Sequence, residues 1–381
     1  MMSEPTTRES LRGEQFKERR NITSPFDNNT DVLLLPSPID TYLCEYLTDV
    51  TQMPSGCVLS CGAGGQHDGG DFNCHVHTRY VKEESEQADI VVNHFGSVPQ
   101  RYSNGRPYLT LYYSGESNYS EIRRGRGDYP VLHDRVVSCH QHRQNYFTYT
   151  HHHKPYFMDI LRSNNKDGGE AQSATWSAWK QRHSAVAVFL STCLARRAEV
   201  IHRLSRYYPV HNYGWCVNTH RVPDDCAGIG GRYDEKMCVM RKYKYAMALE
   251  NSREQDYVTE KVYHALVSGG IPLYWGAPNI DDFVPMGRRS IVDVEPFIPG
   301  QLGDSPLDNS TDGEGGFKRL GDYLRRLESE EVSVNRLLAW RRARRAEEWG
   351  ERFVDNMNHL DPLCAVCAEA REKRRRNNTS R

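Results

Sequence analysis

Short apolar runs alternate with polar segments along the chain, and several of the segments between them carry apolar residues at helical spacing. In the first third, apolar runs at 31–36, 88–94 and 108–113 predict buried strands, and 62–70 is a glycine-rich loop. Residues 163–169, Ser-Asn-Asn-Lys-Asp-Gly-Gly, have the composition of a linker. Apolar strands separated by loops and helices are typical of parallel sheets, so we expect an α/β fold.

The second half of the chain repeats strand and helix more regularly. The pattern predicts strands at 184–190, 243–249, 271–275 and 290–294, and helices at 196–207, 259–268 and 320–347. Gly269 and Gly270 follow the second of these helices and form its C-cap. Residues 303–316 are rich in Asp, Gly and Ser and predict a loop, whereas the basic stretch beyond Ala370 predicts a disordered tail.

This pattern divides the 381-residue chain into two α/β domains. We expect a disordered stem at 1–30, a first domain at 31–165, a linker at 166–180, a Rossmann-like second domain at 181–350 and a C-terminal segment with a basic tail at 351–381. Such sheets bind ligands at the carboxyl ends of their strands, and two domains facing each other enclose a cleft.

Composition narrows the choice of partner and compartment. The net charge is −1, which argues against a general nucleic-acid binder. The 11 cysteines and several Asn-X-Ser/Thr triplets favour an oxidising, secretory compartment, although in the cytosol the same cysteines would be thiols or zinc ligands. The sequence has no run of 18 apolar residues and starts with a polar segment, so a signal peptide or membrane anchor would lie outside it.

Polar residues with the chemistry of a phosphate site follow the strand predicted at 243–249. Glu250-Asn251-Ser252 place three polar groups at the carboxyl end of that strand. Thr259 is the expected N-cap of the next helix, and Lys261 lies in its first turn. A helix N-terminus offers free N–H groups and partial positive charge, so together with a lysine it attracts a diphosphate.

Other residues in the same stretch suit the rest of a nucleotide. Tyr257 offers a ring on which a base could stack, and Asn251 and Glu260 could hold ribose or sugar hydroxyls. An ordinary capped helix with a solvated Glu–Lys pair fits these residues as well. The spacing alone therefore leaves both interpretations open.

The order of these residues resembles the donor-site signature of the α-1,3-fucosyltransferases. The signature here reads Glu250-Asn251-Ser252, four residues, then Tyr257-Val258-Thr259-Glu260-Lys261, and the resemblance continues through 265–285. Upstream, 189–197 is similar to the family's strand-to-helix turn, with Thr192 where the family has Asn. Residues 209–216 are similar to the family's Val-Asp-Ser-Tyr-Gly-x-Cys.

The resemblance implies a role for each matching residue. Arg197 falls where the family places its phosphate-contacting arginine, with Arg196 as a rival one position away. The implied donor-binding set is Arg197, Tyr213, Glu250, Asn251, Ser252, Tyr257, Thr259, Glu260 and Lys261. Glu116 lies in 113–119, which is similar to the family's Met-Glu-Ser segment, and would be the general base, the alternative being a solvated loop carboxylate.

The resemblance also implies a fold and a reaction. We expect two Rossmann-like domains facing across a cleft, the GT-B type of glycosyltransferase. L-fucose would move from GDP-β-L-fucose to a GlcNAc hydroxyl of a glycoprotein glycan in α-1,3 linkage, with inversion, as in the members that act on the N-glycan core. A protein Ser/Thr acceptor, or a non-catalytic glycan-binding protein on the same fold, are the alternatives. No cofactor would be required, with Mn²⁺ at most a stimulator, and the expected location is the Golgi lumen with type II membrane attachment.

Two further motifs invite a metal interpretation. Cys364 and Cys367 resemble the family's C-terminal Cys-x-x-Cys, and they suit a short disulfide or two bridges to distant cysteines better than half a zinc site. The run His151-His152-His153 has no carboxylate at ligand spacing, and consecutive residues do not share a helix face. We therefore predict no catalytic metal.

Overall fold

The computed structural model describes residues 32–36, 50–53, 56–61, 72–77, 88–93, 109–116, 134–141, 146–166, 176–230, 232–297, 311–359 and 362–379. The predicted stem at 1–30 and the glycine-rich loop at 62–70 lie outside these residues, as does much of the predicted linker. The described strands form two sheets, one in each half of the chain.

The first sheet has the strand order β2-β3-β4-β1-β5-β6-β7. Its strands are β1 Val32–Pro36, β2 Val50–Met53, β3 Gly56–Cys61, β4 Phe72–His77, β5 Ile90–Asn93, β6 Leu109–Ser114 and β7 Arg135–Ser138. Strands β1 and β4 to β7 pair in parallel, whereas β2, β3 and β4 pair antiparallel. The sheet is therefore mixed, and its parallel half carries the strands that were predicted from apolar runs.

The second sheet is parallel throughout and has the order β12-β11-β10-β8-β9. Its strands are β8 His183–Val188, β9 Val210–Asn212, β10 Tyr243–Leu249, β11 Ile271–Trp275 and β12 Val292–Asp293. The two central strands, β10 and β11, are buried along their whole length, because helices cover both faces of the sheet. Their bounds are those predicted, while β12 is shorter than the predicted 290–294.

The described helices are α1 Tyr149–His152, α2 Lys154–Asn164, α3 Trp176–Lys180, α4 Ala195–Ser205, α5 Arg232–Met240, α6 Glu260–Val267, α7 Thr311–Leu327, α8 Glu331–Leu337, α9 Glu351–Asn358 and α10 Leu363–Thr379. Short 3₁₀ turns lie at Ile280–Asp282, Gly287–Ser290, Glu295–Phe297, Ala339–Arg342 and Ala346–Trp349. The helix predicted at 320–347 is thus broken into α7, α8 and turns.

Two sequence predictions at the C-terminal side are wrong. The loop predicted at 303–316 ends earlier than expected, because helix α7 begins at Thr311. Gly316 lies in this helix and packs closely against Phe297, since a Cβ at 316 would lie 1.8 Å from the Phe297 carbonyl oxygen. The predicted disordered tail is helix α10, which lies on the first sheet. The buried ion pair between Arg374 and Asp89, 3.0 Å apart, fixes it there.

Two disulfides join α10 to the first sheet. Cys61 bonds to Cys364 and Cys74 bonds to Cys367, across 303 and 293 residues of sequence. The interpretation of the Cys-x-x-Cys pair as two distant bridges is therefore confirmed. None of the described helices combines the length and hydropathy needed to span a bilayer.

The chain crosses between the domains at two segments that lie side by side, 146–151 and 356–359. The rings of Tyr146 and His359 stack with centroids 3.9 Å apart. Thr148 Oγ1 donates to the Asn356 carbonyl at 2.7 Å, and His151 Nδ1 lies 3.0 Å from the Met357 carbonyl. After the first crossing, α2 packs into the second domain, whereas after the second, α10 returns to the first.

Candidate active site

A cleft of about 620 Å³ opens between the two domains at the carboxyl ends of the parallel strands. The first domain contributes Gly115, Glu116 and Tyr149, and loops and helix ends of the second domain form the rest. The predicted site residues that line it are Glu116, Arg197, Tyr213, Asn251, Tyr257, Thr259, Glu260 and Lys261. Glu250 and Ser252 lie behind this lining and are buried.

Glu250 is a buried anchor for the start of helix α6. Its Oε1 accepts from the backbone N–H of Thr259 at 2.8 Å, and its Oε2 accepts from Thr259 Oγ1 at 2.7 Å. The same Oε2 accepts from Lys261 Nζ at 3.1 Å. Thr259 is the N-cap, as predicted, but its hydroxyl binds Glu250 instead of closing the helix. The carboxylate thus fixes the helix end and the lysine together.

Lys261 and Glu260 form the charged part of the cleft. Burial disfavours the Lys261 ammonium, but the carboxylates of Glu250 and Glu260 outweigh burial and raise its pKa above the ordinary 10.5. Burial also opposes ionisation of Glu260, yet the charges of Lys261 and Lys236 outweigh it and lower the pKa of Glu260 to about 2. Both groups are therefore ionised at neutral pH.

Of the two candidate arginines, Arg197 lines the cleft. Its Nη2 donates to the Thr192 carbonyl at 2.7 Å and its Nη1 to the Leu249 carbonyl at 3.3 Å. Arg196 turns away, and its guanidinium lies 5.4 Å from the ring centroid of Trp275. The strand-to-helix turn therefore presents one cation to the cleft, at the position that the resemblance implied.

Tyr213 and Trp215 lie on the loop after β9. The Tyr213 hydroxyl lies 2.6 Å from that of Tyr243. Gly214 packs against the backbone of Leu190, where a Cβ would approach the carbonyl oxygen to 2.2 Å, so only glycine fits. The disulfide between Cys193 and Cys216 fixes the same contact between the two loops.

Tyr257 lines the cleft but is largely buried between the domains. Its side chain packs with the apolar core of the first domain, and 2% of the residue is exposed. Burial, and then the charge of Glu116, raise the pKa of its hydroxyl well above 10. Little of the ring is open to a base, so interdomain packing accounts for its position, and its predicted contact with guanine stays a prediction.

The residue before Tyr257 ties the second domain to the first. Asp256 has a left-handed backbone, with φ of 67°, and is buried. Its Oδ2 accepts from the Gln141 N–H of the first domain at 3.0 Å, and its Oδ1 accepts from Asn279 Nδ2 at 2.9 Å. The loop that carries Asp256 and Tyr257 is therefore attached to both domains.

Glu116 follows strand β6 and faces the second domain. Its backbone N–H lies 3.2 Å from Ser114 Oγ, and the adjoining Gly115 leaves room for the Tyr149 hydroxyl. Glu116 lines the cleft from the first domain, and Arg197 lines it from the second. The structure thus brings the predicted base and the predicted phosphate contacts to one cavity.

The structure adds cleft residues that the sequence analysis did not single out. Tyr233, Glu235 and Lys236 reach the cleft from the first turns of α5, and Trp215 reaches it from the loop after β9. A crossover helix begins at the carboxyl edge of a parallel sheet. Identifying 232–240 as the helix before β10 would have pointed to its first turn.

The histidine run is used in packing. His151 and His153 are buried, and their Nδ1 atoms lie 3.0 Å from the Met357 carbonyl and 2.7 Å from the Tyr149 carbonyl. Burial lowers the pKa of His153 to about 4, so its ring is neutral at pH 7. Across the part of the chain that the structure describes, no group of three or more His, Cys, Asp or Glu side chains could hold a metal ion.

Comparison with known proteins finds a family match within the second domain. Residues 179–304 match the family described as Glycosyltransferase family 10 (fucosyltransferase) C-term. An "Alpha-(1,4)-fucosyltransferase" of Arabidopsis thaliana is 30% identical over 47% of this chain and 42% of its own length. A "GDP-fucose protein O-fucosyltransferase 3" of Xenopus laevis is 24% identical over 64% of this chain and 51% of its own length. The chain thus spans about half the length of these curated relatives, or less.

The fold agrees with a solved structure over nearly the whole chain. A crystal structure of an α1,3-fucosyltransferase covers 93% of this chain and 92% of its own, with a TM-score of 0.53 and 17% identity. Two Rossmann-like domains facing across a cleft, the GT-B architecture, are thereby confirmed. Residues 179–304 of the second domain therefore match the glycosyltransferase family 10 (fucosyltransferase) C-terminal domain, and the chain shares its fold with a solved α1,3-fucosyltransferase.

Proposed function

We propose that this protein transfers L-fucose from GDP-β-L-fucose to an acceptor hydroxyl with inversion, and that the acceptor is a GlcNAc of a glycoprotein glycan, fucosylated in α-1,3 linkage. The observation that carries the proposal is the cleft itself. It brings Glu116 of one domain opposite Arg197 and Lys261 of the other.

The cations suit the charge that develops on the leaving group. When the bond between fucose C1 and the β-phosphate oxygen breaks, the electron pair leaves with GDP, whose diphosphate gains negative charge. Arg197 and Lys261 would stabilise this charge from fixed positions, since backbone carbonyls hold one and Glu250 holds the other. Positions fixed in advance avoid reorganisation during the reaction.

Glu116 suits the role of general base. The acceptor oxygen forms the new bond to C1 on the face opposite GDP, and its proton passes to the Glu116 carboxylate. One in-line displacement of this kind converts the β-linked donor to an α-linked product. General-base catalysis contributes about 10²–10⁴-fold to the rate.

The scheme needs no metal, because the two cations supply the electrophilic stabilisation that a metal would give; Mn²⁺ would at most stimulate. We further propose action in the Golgi lumen, with a type II membrane attachment. The disulfides joining Cys61 to Cys364 and Cys193 to Cys216 support an oxidising compartment.

The test measures GDP release from GDP-fucose with GlcNAc-bearing glycans and, in parallel, with Ser/Thr-bearing glycoprotein acceptors, each with and without EDTA. The second acceptor class is included because several relatives are named protein O-fucosyltransferases. We expect acceptor-dependent release that survives EDTA and is lost in Glu116→Gln and Lys261→Ala. Glu199→Gln serves as the control, since Glu199 pairs with Arg203 on helix α4 and does not line the cleft.

The outcomes separate the proposals. Release with Ser/Thr acceptors alone would replace the glycan acceptor and keep the donor chemistry. GDP-fucose binding without turnover of either class, in the wild type, would favour a glycan-binding protein on the same fold. Failure to bind GDP-fucose would overturn the function itself.

A further inference from the structure

One end of the cleft is apolar and contains a tryptophan that the described residues leave largely exposed. Phe189, Tyr213 and Val222 line this end and pack against one apolar cluster of the second domain. Trp215 lies beside them and is 73% exposed. A rigid ring at the rim of an apolar pocket is an arrangement suited to stacking on a flat ligand.

The loop that carries Trp215 is held rigidly. Cys216, the next residue, is bonded to Cys193, and Gly214, the residue before, lies on the backbone of Leu190. Asn212 Nδ2 also donates to the Cys216 carbonyl at 2.5 Å. The indole is thus presented to the cleft from a fixed backbone, although its own side chain is exposed.

The same end of the cleft has a carboxylate with unused acceptor capacity. Glu235 lines the cleft from helix α5, whose residues Val239 and Met240 pack in the same apolar cluster as Tyr213. Within the described residues, its Oε2 accepts from the Gly228 N–H at 3.2 Å and its Oε1 has no hydrogen bond. The disulfide between Cys226 and Cys238 fixes the loop and helix relative to each other.

A carboxylate discriminates between purines by their hydrogen-bonding edges. Guanine presents two adjacent donors, N1–H and the 2-amino group, which match an acceptor-only carboxylate. Adenine presents an acceptor at N1, which a carboxylate repels. Glutamine, with one donor and one acceptor, matches adenine instead.

Resting on the proposed function, we propose that Trp215 and Tyr213 hold the nucleotide base of the donor and that Glu235 selects guanine. This moves the base away from Tyr257, whose ring is buried between the domains. The diphosphate would then lie toward Arg197 and Lys261, and the base would lie toward the disulfide-fixed loops.

The test compares the affinities of GDP, IDP, 2′-deoxy-GDP and ADP for the full chain and three variants. IDP lacks the 2-amino group, so its loss in affinity relative to GDP reports on that donor. In Glu235→Gln we expect GDP to bind about 10- to 100-fold more weakly and the preference for GDP over IDP and ADP to collapse. Asp234→Asn, an exposed neighbour outside the cleft lining, is the matched control and should leave both ratios unchanged.

Trp215 offers an optical readout of the same event. The chain has six tryptophans. Trp179, Trp275, Trp340 and Trp349 are each 1% exposed, and Trp176 stacks on Trp179 outside the cleft lining. GDP should therefore quench emission mainly from Trp215. Trp215→Ala should remove that quenching and weaken GDP binding about 5- to 150-fold, as lost base stacking does. Near-ultraviolet circular dichroism verifies that each variant is folded.

Each remaining outcome overturns the assignment. An unchanged GDP-to-IDP ratio in Glu235→Gln shows that the carboxylate does not read the base. A variant that loses discrimination only between GDP and 2′-deoxy-GDP places Glu235 on the ribose. If wild-type protein binds no GDP, the proposed function fails, whereas tight GDP binding without these ratio changes refutes only the base subsite.

Discussion

Replacing Glu250 by Gln tests whether a carboxylate behind the cleft controls the lysine that lines it. Glu250 is fully buried, and its two oxygens accept three hydrogen bonds from Thr259 and Lys261. Gln has the same shape but only one acceptor oxygen. Its amide NH₂ would face either the Thr259 N–H or the Lys261 ammonium, and neither can accept a hydrogen bond.

The cost follows from which bonds survive. If the amide oxygen keeps the bond from the Thr259 N–H, the threonine hydroxyl can rotate to accept from the amide, but the ammonium cannot. One charge-assisted hydrogen bond is then lost, about 1.5–3 kcal/mol. Lys261 is 20% exposed on its side chain, so water recovers part of this, and we expect about 2 kcal/mol. For a domain of this size that is a fall in Tm of about 4–8 °C.

The effect on function should exceed the effect on stability. Lys261 keeps its bond to Thr259 Oγ1 at 2.7 Å but loses the carboxylate that orients it. If the ammonium shifts away from the diphosphate, the loss of one such electrostatic contact costs about a hundredfold in rate. Thermal unfolding and GDP-fucose turnover, measured on the same samples, give the two numbers.

Glu328→Gln is the matched control. Glu328 is a partly buried carboxylate of the same domain that accepts from Lys244 Nζ at 2.7 Å and from Ser184 Oγ at 2.7 Å, outside the cleft lining. It should lower Tm to a similar extent and leave turnover intact. A Glu250→Gln enzyme with normal turnover, or a Glu328→Gln enzyme with equal loss of turnover, would refute the reasoning.

Four other predictions follow from the contacts described. Glu260 has a pKa depressed from 4.5 to about 2, so its contribution to stability is present above pH 4.5 and is lost as pH falls toward 2; Glu260→Gln should flatten the acid side of a stability–pH curve, and an unchanged slope contradicts the shift. Removing either the Cys61–Cys364 or the Cys74–Cys367 bridge should cost about 3 kcal/mol by chemical denaturation, because the other bridge still closes the long loop, and removing both should cost more than the sum; simple additivity argues against this account. Gly214→Ala should lower Tm and GDP affinity together, since its Cβ would lie 2.2 Å from the Leu190 carbonyl, and a normal Tm would show that the loop can shift. Arg197→Ala should weaken GDP in a titration far more than Arg196→Ala, which removes a contact with Trp275; equal losses would reopen the choice between them.

The central strands of the second domain could be predicted from sequence because each is buried on both faces. Tyr243–Leu249, interrupted only by Lys244, and Ile271–Trp275 are apolar runs bounded by polar residues and glycines, so their ends could be predicted. The N-cap at Thr259 could also be predicted, because threonine is a preferred residue directly before a helix. Local signals of this kind need no knowledge of distant residues.

The wrong predictions concern segments whose partners are far away in sequence. The basic residues beyond Ala370 suggested disorder, yet Arg374 pairs with Asp89, and the helix is bonded to Cys61 and Cys74. In the candidate site, Tyr257 had the right spacing to line the cleft, but its burial depends on packing against the first domain. Helix α5 contributes cleft residues without any motif, so only its identification as the helix before β10 would have pointed to them.

The two chain crossings determine how the cleft can open. A single connecting segment would let one domain rotate about it in any direction. Two segments side by side restrict this motion, because the stacked rings of Tyr146 and His359 and the hydrogen bond from Thr148 to Asn356 join them. Rotation of the domains about an axis through both segments would keep these contacts, whereas a twist across that axis would separate the stacked rings. We therefore expect any opening of the cleft to be a rotation about one axis, which would move Glu116 away from Arg197 and back along a single path.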